Sequence, residues 1–213
     1  MNGTRYLSTL LCLTLLFLVG AWPTAAQEHS SAQQQNQPHH HPAQPSPEEI
    51  SPAQKYFTDV TLINQHGQPM RLYSDLLKGK VVVINAFFTS CQGSCPVMAA
   101  TFAKIQDWLG DRLGKDVRLI SLSVDPVTDT PEKLKAYAER FQAKPGWYLL
   151  TGKKENLDWA LYKLGQYVEN KEDHLNVFII GNEPTGLWKK ALGLAKPENI
   201  IQVVESVLND QSQ

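Results

Sequence analysis

Two residue types in this chain are spaced for chemistry: a thiol pair, Cys91 and Cys95, separated by Gln92-Gly93-Ser94, and a remote histidine, His174, in Asp173-His174-Leu175. Thiolates attack disulfides and bind soft metal ions, so the pair suits either redox exchange or capture of Cu(I) or zinc. Imidazole adds a nitrogen donor common at copper. The thiols stand between residues 80–88, a largely β-branched and aromatic run that reads as a strand buried on both faces, and a helix-spaced stretch from Pro96 to about Leu113. Free N–H groups and the positive dipole end at such a junction favour anions, which predicts a lowered thiol pKa. Pro96 suits the first helical turn, where its missing N–H costs nothing. Three intervening residues, Gly93 among them, leave slack for the sulfurs to flank an ion or close into a disulfide. A plain stapling disulfide is the bland alternative, but so short a loop restrains the unfolded chain little.

The elements that must position these groups alternate strand and helix signals. Residues 60–64 and 68–72 flank Gln65-His66-Gly67 as a hairpin, and residues 74–77 form a helical turn stopped by Gly79. Residues 117–124 read as a second buried strand. Thr130-Pro131-Glu132 begins a helix with a hydroxyl cap and proline at the first helical position. A short strand closing at Leu149-Leu150, a helix over 155–164, a hairpin of 176–180 with 187–191 and a last helix over 197–208 complete an α/β domain of about 55–210.

Residues 1–26 read as an export signal: Arg5 is the positive start, Leu7 to Val19 is nearly all apolar, and Thr24-Ala25-Ala26 precedes Gln27 with small residues. An uncleaved anchor is the other reading, disfavoured because a span needs roughly 20 apolar residues. Cleavage removes Cys12 and leaves Cys91 and Cys95 as the mature protein's cysteines. Residues 27–54, rich in Gln, Ser, Pro and His, lack the apolar surface to offset ordering entropy and read as a solvated tether. His29, His39, His40 and His41 lie in it and would hold transition metals loosely, if at all. A net charge of -1 offers no electrostatic footprint for nucleic acid and no basic face for anionic lipid. The expected compartment is the bacterial periplasm or the outer face of the cytoplasmic membrane, with membrane attachment only through the N-terminal segment.

Two thiols at a helix start after a buried strand resemble the thioredoxin superfamily active site, although the usual spacing there is two residues. In that fold the loop preceding residues 176–180 approaches the cysteine loop and carries a proline in ordinary redox members. No proline lies between Gly146 and Glu183, and His174 stands there instead. With Phe87-Phe88-Thr89-Ser90-Cys91, Cys95-Pro96, Ser123-Val124-Asp125-Pro126, Asp129-Thr130-Pro131-Glu132 and Asp173-His174 in order, the chain resembles the Sco (SenC) family of copper chaperones, which assist assembly of the binuclear copper site of cytochrome c oxidase. The resemblance implies a thioredoxin-like fold with a central mixed sheet, an N-terminal hairpin extension, and copper held by Cys91, Cys95 and His174. It implies as partner the copper-site subunit of cytochrome c oxidase, another extracytoplasmic copper protein, or a thiol reductant. Asp125, Pro126, Asp129 and Pro131 read as structural. Gln92, Thr128 and Leu175 stand where the family usually has proline, arginine and serine.

Other functions fit parts of the same pattern. Structural zinc normally takes four protein ligands, and only Asp173 or a tether histidine is on hand as a fourth. An extracytoplasmic thiol-disulfide oxidoreductase would use Cys91 and Cys95 as a reversible disulfide. Thr89, two residues before Cys91, is a partial echo of a peroxidase site.

Overall fold

Every residue of the strand Val81–Phe87 is buried, as an apolar run between two layers requires. The computed structural model describes residues 50–211. In chain order the elements are α1 (Pro52–Phe57), β1 (Thr61–Asn64), β2 (Pro69–Arg71), a π turn (Leu72–Leu77), β3 (Val81–Phe87) and α2 (Ser94–Leu109). There follow β4 (Val117–Ser123), α3 (Pro131–Arg140), β5 (Trp147–Thr151), α4 (Lys154–Lys163), a 3-10 turn (Lys171–Asp173), β6 (Val177–Asn182), β7 (Leu187–Leu192) and α5 (Pro197–Leu208). The seven strands form one sheet in the order β2-β1-β5-β4-β3-β6-β7. Strands β3, β4 and β5 run parallel, whereas β6 is antiparallel to β3, and β1 is antiparallel to both β2 and β5. This is the expected thioredoxin-like α/β fold with its hairpin extension.

Strand direction decides what meets. The exits of β3 and β4 and the entry to β6 lie at one end of the sheet, so the cysteine loop, the loop carrying Asp125 and Asp129, and the loop carrying His174 are neighbours. Alternation along β3 splits the core into two faces. Val81, Val83 and Phe87 pack with Phe102, Trp147 and Phe178 on one face; Val82, Ile84 and Ala86 pack with Leu72, Leu76 and Leu161 on the other. On the first face Phe102 stacks on Phe178 at 4.9 Å and meets Trp147 edge-on at 5.3 Å. Phe102 therefore joins the helix that carries Cys95 to the strand that His174 precedes.

Three local differences from the sequence reading have plain causes. Helix α1 begins at Pro52, within the stretch read as the end of the tether, because Ser51 Oγ accepts from Gln54 N at 3.1 Å and Phe57 finds a buried place beside Trp188. Helix α2 begins at Ser94, ahead of Pro96, and stops at Leu109, where Gly110 takes φ 53° and the chain continues as a 3-10 turn. The turn over Lys171–Asp173 has no hydrophobic period to announce it. The export signal, most of the tether and the His39 to His41 tract lie outside the described residues. Among the described residues no helix is long and apolar enough to cross a membrane.

Replacing Phe102 by alanine removes a fully buried ring from both aromatic contacts. We expect a loss of about 3–5 kcal/mol of stability, read as a lowered urea midpoint.

Candidate metal centre

The cysteine loop leaves β3 at Phe87 and turns at Phe88, where the Cys91 N–H donates to Phe88 O at 3.2 Å. Gly93 precedes the first turn of α2, which places Cys95 second in the helix and Pro96 still among the residues whose N–H would have no helical partner. The two thiols are free, Cys91 half-buried and Cys95 only 1% exposed. That burial reverses the expectation of a lowered pKa at Cys95. Withdrawal from water, then the neighbouring Cys91 thiol, push the Cys95 thiol from 9.0 up to about 12 despite its place at a helix start. Cys95 is a protonated thiol at neutral pH, not a standing thiolate.

His174 follows the Lys171–Asp173 turn and is 8% exposed. Its Nδ1 lies 2.8 Å from Lys171 O, and its Nε2 lies 3.4 Å from Cys95 Sγ. A carbonyl oxygen only accepts, so Nδ1 carries the proton of the neutral ring and Nε2 turns its lone pair toward Cys95. The Cys95 S–H is the natural donor to it. Phe88 closes the other side, edge-on to the imidazole at 5.5 Å. The structure thus brings His174 to Cys95, and the same imidazole is hydrogen-bonded within its own loop. Among the described residues no three His, Cys, Asp or Glu side chains are already gathered about a point that could hold a metal ion. The Cys95–His174 half is formed, and Cys91 stands at its rim.

The carboxylates read as structural are the supports of this site. Asp129 is 0% exposed and accepts from Thr89 N at 3.1 Å, Thr89 Oγ1 at 2.5 Å and Ser123 Oγ at 2.6 Å. Two donors of Thr89 meeting one buried carboxyl group pin the chain two residues ahead of Cys91. The Thr89 hydroxyl directs its proton to Asp129. Asp125 receives Lys171 Nζ at 2.7 Å. Burial alone would raise the Asp125 pKa, but hydrogen bonds from Lys171 and Thr128 bring it below the ordinary carboxylate value. Sequence reading had no signal for Lys171, one charge in a polar stretch. Nor did it single out Tyr137, whose buried hydroxyl has no hydrogen-bond partner among the described residues and whose pKa is raised chiefly by burial. Two surface clefts of about 580 and 530 Å³ are lined by other residues, among them Gln65 and Lys144, and Phe57 and Trp188.

The two thiols should differ sharply in reactivity. At pH 8 iodoacetamide should modify Cys91 well before Cys95, as read by mass spectrometry of the digested protein, because Cys95 is both buried and protonated. The Cys95 shift also sets a stability profile. Its folded pKa lies above its unfolded value, so the folded state holds the extra proton and stability falls as pH rises from about 9 toward about 12. Urea titrations at pH 8 and 10.5 should show that fall, and Cys95→Ser should flatten it.

The geometry has relatives. The SCO1/SenC family profile matches residues 48–209. A SCO1 protein homolog of Bacillus subtilis (strain 168) is 38% identical over 115 residues, 53% of this chain and 58% of that protein, so the match spans little more than half of the relative's length. The crystal structure of a SCO1/SenC family lipoprotein from Bacillus anthracis superposes with a TM-score of 0.58 at 34% identity, over 69% of this chain and 91% of the other. BsSco, described with a disulfide switch and as a member of the Sco family of cytochrome c oxidase assembly proteins, superposes with a TM-score of 0.58 at 31% identity, over 71% and 92%. A profile match over most of the described domain, together with the same fold carrying the thiol pair and His174, makes this chain a member of the SCO1/SenC family.

Proposed function

We propose that this domain binds copper through Cys91, Cys95 and His174 and passes it, as cargo, to the copper site of cytochrome c oxidase or of another extracytoplasmic copper protein. The observation that carries the reading is the aim of His174: Nδ1 is committed to Lys171 O and Nε2 faces Cys95 Sγ at 3.4 Å. A set of two sulfurs and one imidazole suits Cu(I) and disfavours hard cations. The membership of BsSco in a family of cytochrome c oxidase assembly proteins supports the choice of recipient. Cys91, half-buried on a loop that contains Gly93, is the ligand that closes the set and the one a recipient thiolate reaches first. Three protein ligands leave room for such exchange. The apolar N-terminal segment supports a location outside the cytoplasm.

Binding must displace the thiol protons, and the raised pKa of Cys95 makes that displacement costly at low pH. Anaerobic titration of the reduced protein with Cu(I) should give one equivalent, with affinity rising as pH rises from 6 to 8. Cys91→Ser, Cys95→Ser and His174→Ala should each weaken it on the order of 100-fold or more, beyond what loss of an outer support costs. Unchanged affinity in His174→Ala would sink the ligand assignment.

A second reading rests on the adjacency of one accessible and one buried free thiol. Cys91 thiolate attacks a client disulfide, forming a mixed disulfide and releasing one client thiolate. Cys95, its proton taken by His174 Nε2, then attacks the Cys91 sulfur, which forms the Cys91–Cys95 disulfide and frees the second client thiolate. The client is reduced, the pair is oxidised, and an external thiol reductant must reset it. Stoichiometric reduction of a model disulfide with copper binding absent would favour this reading over the first.

A further inference from the structure

We infer that Lys171 is a positioning residue for His174 and that Asp125 is its anchor, so the loop between β4 and α3 sets the distance between the imidazole and the thiols. The inference rests on the copper reading above and adds the residues that hold its nitrogen ligand in place.

Lys171 touches the site in three ways. Its backbone carbonyl receives the His174 Nδ1–H at 2.8 Å, which fixes the ring's tautomer and plane. Its ammonium donates to Asp125 Oδ2 at 2.7 Å, in a pair whose side chains are 35% and 11% exposed. The same ammonium sits 5.0 Å from the centre of the Phe88 ring, and that ring meets His174 edge-on at 5.5 Å. The carbonyl orients the histidine, and the side chain of the same residue decides where that carbonyl stands. A 3-10 turn of three residues has too few internal bonds to hold its own position, so an outside tie is needed.

The other end of the tie is rigid. Asp125 N donates to Ser123 Oγ at 3.0 Å, Ser123 Oγ donates to Asp129, and Thr128 and Asp129 N–H groups close on Asp125 O at 3.0 and 2.9 Å. Asp129 in turn holds Thr89 on the cysteine loop. One loop thus grips both halves of the site: Asp129 holds the thiol side and Asp125, through Lys171, holds the imidazole side. A partly exposed pair free in water contributes little to stability. Here its consequence is geometric, because a shift of about 1 Å at a donor atom is enough to degrade a site.

The test uses Lys171→Met, which keeps the stem over Phe88 but removes the charge, with Lys171→Arg and Asp125→Asn beside it. In the metal-free protein, ¹⁵N signals of the His174 ring should report a single Nδ1–H tautomer in the wild type and in Lys171→Arg, and a mixture in Lys171→Met and Asp125→Asn. Cu(I) affinity should fall about 10–100-fold in the two disruptive variants, the range for loss of an outer support, with the arginine variant near wild type. The double variant should be no worse than either single, since both break one contact. Thermal melts within a few degrees of wild type would show that the effect is local. A single tautomer and unchanged affinity in Lys171→Met overturn the proposal, as do fully additive losses in the double variant. If the wild type binds no copper but Lys171→Met still mixes the tautomers, the positioning role stands and the copper reading falls.

Discussion

The pairing of β3, parallel to β4 and antiparallel to β6, is the constraint on which the rest of this molecule depends. Two parallel strands and one reversed neighbour put two strand exits and one strand entry at the same end of the sheet. Loops separated by many residues in sequence then have only side-chain distances between them: Cys95 Sγ and His174 Nε2 stand 3.4 Å apart. The buried faces of β3 enforce that pairing, since a slip of one residue would exchange Val81, Val83 and Phe87 with Val82, Ile84 and Ala86 between two differently filled cores.

Within that frame, polar groups rather than apolar ones set the site's dimensions. Asp129 is fully enclosed, and the donors around it are what make an enclosed carboxylate tolerable. The same bonds tie the start of the cysteine loop to the loop after β4. Asp125 does for the histidine loop what Asp129 does for the cysteine loop, with Lys171 as intermediary. A purely hydrophobic end to the sheet would pack as well but would leave the sulfur-to-nitrogen distance loosely defined.

Burial also decides the resting chemistry. A helix start and a neighbouring imidazole both suggest an activated thiolate, yet Cys95 lies deep enough, and close enough to Cys91, that the neutral thiol wins. Cys95 is therefore quiet until something takes its proton. A soft cation would do this by coordination, and in disulfide exchange the more accessible Cys91 would attack a client disulfide before His174 takes the Cys95 proton. The two chemistries share one set of atoms, which is why a family of this kind supports both a metal reading and a redox reading.

Much of the fold was legible in the residues themselves. Residues 80–88, 117–124 and 197–208 show their strand or helix character through runs rich in β-branched and other apolar residues and through amphipathic spacing, and Thr130-Pro131 shows its cap through chemistry that acts within one turn. The thiol pair was equally plain, because its spacing and its place between a strand and a helix are local facts. His174 needed the family pattern, since a lone histidine carries no address. The sequence by itself thus determined the elements, the donor types and the α/β class. Only the tertiary structure decided that Cys95 is protonated, that Nε2 is the nitrogen facing it, and that Asp129, Asp125 and Lys171 hold the two loops. Burial, ring orientation and long-range hydrogen bonds are properties of what surrounds a residue, and strand pairing assembles those surroundings from distant parts of the chain.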